Sequence, residues 1–133
     1  MPHITIEYSA NVADHHDIQA LVDAVHQAAL EHGLPPADGL RTRAVSRRHY
    51  VVADGHPSNA FVAITARVGP GREDASRASF IETVLDAAEA QVGPGSEDLA
   101  IAWSIEVTEL DPRFRINRNQ VRKRMAERQG AQS

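Results

Sequence analysis

The chain of 133 residues has no cysteine. Disulfides, thiolate metal sites and cysteine nucleophiles are therefore excluded. No apolar run approaches the roughly 18 residues of a membrane-spanning helix. The N-terminus has neither a basic n-region nor a long apolar stretch, so no secretory signal is expected. Basic residues are not in excess: 14 Lys and Arg stand against 18 Asp and Glu, for a formal net charge of −4. A general nucleic-acid binder would normally be basic. There is no GxSxG elbow and no HExxH spacing. These absences predict a soluble cytoplasmic protein with neither a nucleic-acid nor a membrane partner. Hydrophobic content of 42% and charged content of 24% are those of a globular chain. The length suits a single domain over residues 1–133 with its own core.

The apolar pattern repeats. Ile4, Ile6 and Tyr8 alternate with Thr5 and Glu7, which predicts a half-buried strand. Asp14 or Asp17 can cap a following helix, in which Ile18, Leu21, Val22, Val25, Ala28 and Ala29 recur at helical spacing. Gly33, with Pro35 and Pro36 beyond it, stops that helix. A strand is expected over residues 41–45 and a further extended stretch over 49–53, with a turn at Asp54-Gly55. Then the order restarts. Residues 60–68 read as a strand and Gly69-Pro70-Gly71-Arg72 as a turn. Phe80, Ile81, Val84, Leu85 and Ala88 mark a helix face that ends at Gly93-Pro94-Gly95. Residues 99–107 form the closing strand. The chain is thus an α/β protein built from a duplicated β-α-β unit, with halves at about residues 1–58 and 59–110 and a tail over 111–133. Parallel pairing within each unit follows from the crossover helix. Two amphipathic helices cover one face of a four-stranded sheet and leave the other open. Ile64, Ala66 or Ile101 are expected on that open face, needing burial. In the tail, Asn117 can cap a short helix holding Val121 and Met125. Its basic residues form either a partner-binding arm or a solvated face.

Several residues can carry chemistry. Once the initiator Met is removed, Pro2 bears a free secondary amine in a rigid ring, held by the strand behind it. Such an amine serves as a general base if its surroundings bring its pKa near the working pH; otherwise Pro2 is an ordinary strand-edge residue. The Gly69-Pro70-Gly71-Arg72 turn precedes a helix N-terminus, where backbone N–H groups and the helix dipole attract anions. Arg72 adds a planar fork that suits a carboxylate. This is no P-loop, because the Gly-Lys-Ser/Thr end is missing. Arg41 and Arg43 lie on one face of their strand and need an anion, a carboxylate neighbour or water. The seven histidines do not make a metal site: His15 and His16 point apart on a helix, and His26 and His32 share no face.

Taken in order, these features resemble the 5-carboxymethyl-2-hydroxymuconate isomerase family of the tautomerase superfamily. The residues that carry the likeness are Met1-Pro2-His3 with Glu7-Tyr8-Ser9, Gly39-Leu40-Arg41-Thr42-Arg43-Ala44-Val45, Ala53-Asp54-Gly55, Ala60-Phe61-Val62, Gly69-Pro70-Gly71-Arg72, and Ser104-Ile105-Glu106-Val107-Thr108-Glu109-Leu110 with Pro112. The resemblance implies a homotrimer with one active site per chain. It implies a 1,3-proton shift in a dienol tricarboxylate of homoprotocatechuate catabolism, giving the conjugated 2-oxo isomer. Pro2 would be the base, and Arg41, Arg72 and Arg43 would hold substrate carboxylates. No cofactor is needed, because the 2-oxo/enol group delocalises the charge itself. The alternatives are a tautomerase of another 2-oxo or enol acid, and a trimeric binding protein that keeps the fold without a working base.

Overall fold

The computed structural model describes residues 2–93 and 98–132. Pro94 and Gly95, expected to help stop the second helix, lie outside those residues, as does Met1. Strand β1 (His3–Ser9) buries Ile4, Ile6 and Tyr8 and leaves the intervening side chains on the opposite face. A 3-10 segment (Ala10–Asp14) not anticipated from the sequence seats Val12 in the core. It also leaves His15 and His16 in a turn rather than on a helix. Helix α1 (Ile18–His32) is capped by Asp17, whose carboxylate accepts from the Ala20 N–H at 3.1 Å. It ends at Gly33, whose φ of 82° places it in the left-handed region. Strand β2 (Arg41–Arg47) follows and runs two residues further than expected. The extended stretch expected over 49–53 is not a strand but a loop. It finds no neighbouring strand to pair with and closes instead through the Gly55 N–H, which donates to the Val52 carbonyl at 2.9 Å.

The second unit repeats the plan with β3 (Asn59–Val68), α2 (Asp74–Val92) and β4 (Ala100–Glu109). The sheet order is β2-β1-β3-β4, with β1 and β2 parallel, β3 and β4 parallel, and β1 and β3 antiparallel. The two β-α-β units therefore meet back to back along the central pair. Helices α1 and α2 pack on each other and on one face of the sheet. In α2 the buried residues Phe80, Val84, Ala88 and Val92 recur every fourth position, a narrow stripe aimed at the strands.

The identity of the open face differs from expectation. Ile64 and Ala66 are only 1% exposed and belong to the helix-covered core, and Ile101 packs against the same core. β-strand alternation decides this: Ile6 pairs with Ile64 and Ile64 with Ile105, so all three share the helix side. The uncovered face carries the other set, including His3, Thr5, Glu7, Arg41, Arg43, Ala63, Thr65, Arg67, Ser104 and Glu106. It is mostly polar or small-chained, with Val45 and Phe61 as larger apolar members.

Helix α3 (Gln120–Gln132) closes the chain. Its first-turn partner is Asn119, whose side-chain oxygen accepts from the Arg122 N–H, and not Asn117 as the sequence suggested. Asn119 and Arg122 also bind Asp38, which ties the helix to the loop before β2.

Candidate active site

The sheet topology gathers the candidate residues at one end. Strand β1 starts there, β2 starts parallel to it, and β3 and β4 finish there. His3 pairs with Arg41 on one side and Arg67 on the other. Pro2 is fully buried, and its carbonyl accepts from the Arg41 N–H at 3.2 Å. That bond continues the parallel ladder back to the ring, so the position of Pro2 is fixed by both strands.

Arg41 and Arg43 point onto the uncovered face and meet around His3. Arg43 Nη1 lies 3.0 Å from His3 Nδ1, and Arg41 Nη1 lies 3.4 Å from His3 Nε2. A neutral imidazole accepts at one nitrogen only. The shorter contact assigns the lone pair to Nδ1, which turns the Nε2 proton toward the Arg41 cation. Arg41 is held from its other side by Asn117, whose side-chain oxygen accepts from Nη2 at 3.2 Å. Burial lowers the His3 pKa below its ordinary value, and Arg43, Arg41, Arg115 and Arg67 lower it further. Beside this group lies an open cleft of about 350 Å³, lined by His3, Arg67, Asp111, Phe114, Arg115 and Ile116.

Arg72 is not part of the His3 cluster. It sits in the exposed segment between β3 and α2, four residues beyond Val68, the last paired residue of β3, and it makes no hydrogen bond or ion pair among the described residues. The segment bends at Pro70, and Gly71 takes a φ of 89°. The helix beyond it starts with Glu73 and Asp74, whose carboxylates offset the pull of its N-terminus on an anion. The structure thus brings together Pro2, Arg41 and Arg43 through the β1–β2 ladder. Arg72 is brought to the same end of the sheet, with its side chain exposed. Among the described residues no group of three or more His, Asp or Glu side chains could hold a metal.

Sequence reasoning missed His3, Arg67 and Asn117. Alternation alone puts His3 on the face of Thr5 and Glu7. Only the strand order reveals that two different strands set arginines on either side of it.

The sequence profile of the 5-carboxymethyl-2-hydroxymuconate isomerase family matches residues 2–125. The chain belongs to that family. By that membership it is an isomerase. It is 29% identical over 121 residues to the 5-carboxymethyl-2-hydroxymuconate Delta-isomerase of Escherichia coli, a match covering 91% of this chain and 96% of the relative. A crystal structure of a 5-carboxymethyl-2-hydroxymuconate delta-isomerase superposes with a TM-score of 0.84 at 22% identity, covering 94% of this chain and 93% of the other. A fused 4-OT described as a wild-type symmetric trimer superposes with a TM-score of 0.63 at 14% identity, covering 87% of this chain and 93% of its own. The tautomerase-like fold that the resemblance implied is therefore the observed one. No helix among the described residues is long and apolar enough to cross a membrane.

Proposed function

We propose that the chain converts 5-carboxymethyl-2-hydroxymuconate to its conjugated 2-oxo isomer by a cofactor-free 1,3-proton shift, with the Pro2 nitrogen as the base. The observation that carries this reading is the placement of Pro2. It is buried at the end of the sheet, and its carbonyl is bonded to the strand that presents Arg41 and Arg43. The family match supports it by beginning at residue 2. Removal of Met1 would free the amine. Burial and nearby cations both disfavour its protonated form, which leaves the neutral amine available to start the cycle.

In the proposed cycle the substrate's enol proton is lost as the 2-oxo group forms. Pro2 takes up a proton and returns it to the carbon chain, so the double bond moves without net gain or loss of protons. Arg41 and Arg72 hold carboxylates of the substrate, with Arg43 in a lesser role. They also stabilise the dienolate whose charge develops on the way.

A homotrimer belongs to the same reading. Phe114 and Ile116 are 82% and 83% exposed beside the cleft. Side chains of this kind are usually covered by a partner. The test is an assay with the muconate on protein of known intact mass and known size in solution. The processed chain should be active at about three times 14.5 kDa. An active enzyme that retains Met1 in full would refute Pro2 as the base. Activity on phenylpyruvate without activity on the muconate would transfer the base to another 2-oxo acid.

A further inference from the structure

We propose that His3, Arg41, Arg43 and Arg67 form a carboxylate-binding row on the uncovered face of the sheet, and that an anion bound there draws a proton onto His3. The proposal rests on the reading of Arg41 and Arg43 as carboxylate partners and adds two residues and a linked proton to it.

The row is a consequence of register. Arg41, His3 and Arg67 stand directly opposite one another on β2, β1 and β3, and Arg43 is the next residue up on the same face of β2. Like charges directly opposite one another on a sheet repel. Among the described residues nothing acidic is bonded to Arg41, Arg43 or Arg67 to offset them. Arg41 is bonded to His3 and to the neutral Asn117, and Arg43 to His3. Arg67 is exposed and makes no hydrogen bond or ion pair among the described residues. The carboxylate that lines the adjoining cleft belongs to Asp111, and it is taken up by Arg113 through contacts of 3.1 and 2.8 Å. Glu7, two residues along β1, is engaged by Arg47 at 2.6 Å. Arg115 adds another cation at the rim of the cleft.

His3 stands at the centre with a guanidinium against each ring nitrogen. In the free protein an imidazolium there would face cations on both sides, which disfavours the protonated ring, and in the neutral ring one nitrogen meets a donor with a donor. A carboxylate lying over the row changes both conditions. Its charge offsets the arginines, and its oxygens accept from guanidinium N–H groups that His3 cannot satisfy. A protonated His3 then becomes a further donor to the anion. Binding should therefore take up protons, and affinity should fall as pH rises through the range in which His3 loses its proton. Two cations on separate strands also favour a ligand with two carboxylates over a ligand with one.

The test is calorimetry of succinate binding to the processed full-length chain, in buffers of different ionisation enthalpy. Butyrate and inorganic phosphate are the controls. Succinate should bind more tightly than butyrate or phosphate and take up protons at the acid end of the histidine range. Arg67→Gln should weaken succinate by about tenfold or more, the loss of one charge-assisted contact. His3→Gln should still bind succinate but without proton uptake. In the unsubstituted protein, the His3 ring resonances should titrate at higher pH with succinate present than without it. No succinate binding, equal binding of butyrate or phosphate, unchanged affinity in Arg67→Gln, or proton uptake that survives in His3→Gln would each overturn the row. None of these readouts requires turnover. A failure of Pro2 as the base, seen as full activity in Pro2→Ala, is thereby separate from a failure of the row.

Discussion

Replacing Arg72 by alanine separates function from stability. The side chain lies in an exposed segment and has no hydrogen bond or ion pair among the described residues. Nothing in the fold depends on it, so its loss should change unfolding free energy by no more than about 0.5 kcal/mol. The same isolation leaves its whole donor set available to a substrate carboxylate. If a carboxylate is held bidentately in a desolvated complex, the variant should lose about 2–4 kcal/mol of transition-state stabilisation in kcat/KM. That is about 30- to 900-fold. The acidic limb of the pH–rate profile should also move to higher pH, because removing a cation makes the Pro2 amine easier to protonate. Arg72→Lys separates the two effects. The charge stays, so the acidic limb should stay, while the fork is lost and kcat/KM should fall part of the way. The assay is steady-state kinetics on the muconate across pH, beside a urea melt of each variant. An Arg72→Ala enzyme with unchanged kcat/KM and an unchanged acidic limb would show that this arginine is a surface residue of a bend.

Three further outcomes concern the scaffold that holds the site. Phe80 is 0% exposed and stacks edge-on to His32 with ring centroids 5.4 Å apart, so Phe80→Ala should cost about 3–5 kcal/mol in a urea melt; a loss under about 1 kcal/mol would mean the core collapses around the gap. Asp17→Ala removes the carboxylate that accepts from the Ala20 N–H, and stability should drop by about 1 kcal/mol; Asp14→Ala should not reproduce that loss. His3 has a lowered pKa in the folded chain from burial and four arginines, so the unfolded chain binds more protons just below the ordinary value of 6.5. Stability should then rise with pH through that window. His3→Gln should flatten the rise, and an unchanged slope in that variant would assign it to other groups.

The legible part of this protein was what local pattern encodes. Alternation from Ile4 to Tyr8, the 3.6-residue recurrence from Ile18 to Ala29, and Gly33 as a stop each depend on a few neighbouring residues, and the structure has them as expected. The restart of the pattern near Phe61 was enough to give two β-α-β units. What was not legible depended on pairing between distant segments. Residues 49–53 have strand-like composition, yet no strand edge reaches them. Ile64, Ala66 and Ile101 were assigned to the wrong face because alternation gives two faces without saying which one the helices cover. Asn117 and Asn119 are both plausible caps, and only the start of α3 at Gln120 chooses between them. In the candidate site, Pro2, Arg41 and Arg43 could be named from the sequence. The position of His3 between two arginines could not, since it follows from β2, β1 and β3 lying side by side.

The concentration of cations at one end of the sheet follows from the connectivity. A parallel β-α-β unit starts both of its strands at the same end, so Pro2 and Arg41 open β1 and β2 together. The second unit is antiparallel to the first, so β3 and β4 finish at that same end, where Arg67 pairs with Thr108 one residue before each strand stops. The segment leaving β3 carries Arg72, and the segment leaving β4 runs back along the cleft with Phe114, Arg115 and Ile116. Four chain passages thus contribute to one place although their residues are far apart in sequence. The opposite end of the sheet is reached by the same four strands but receives Ser9, Asn11 and Asn59. There Ser9 and Asn11 share a hydrogen bond of 2.7 Å, and Asn11 donates to the Asn59 carbonyl at 2.9 Å. The Asn11 bond to Asn59 joins the two units at that end. At the Pro2 end Arg41, Arg43 and Arg67 are left without a bonded carboxylate among the described residues, although the chain as a whole carries a net charge of −4. The proposed polycarboxylate site therefore falls at the end where four chain passages bring cations and an open cleft together.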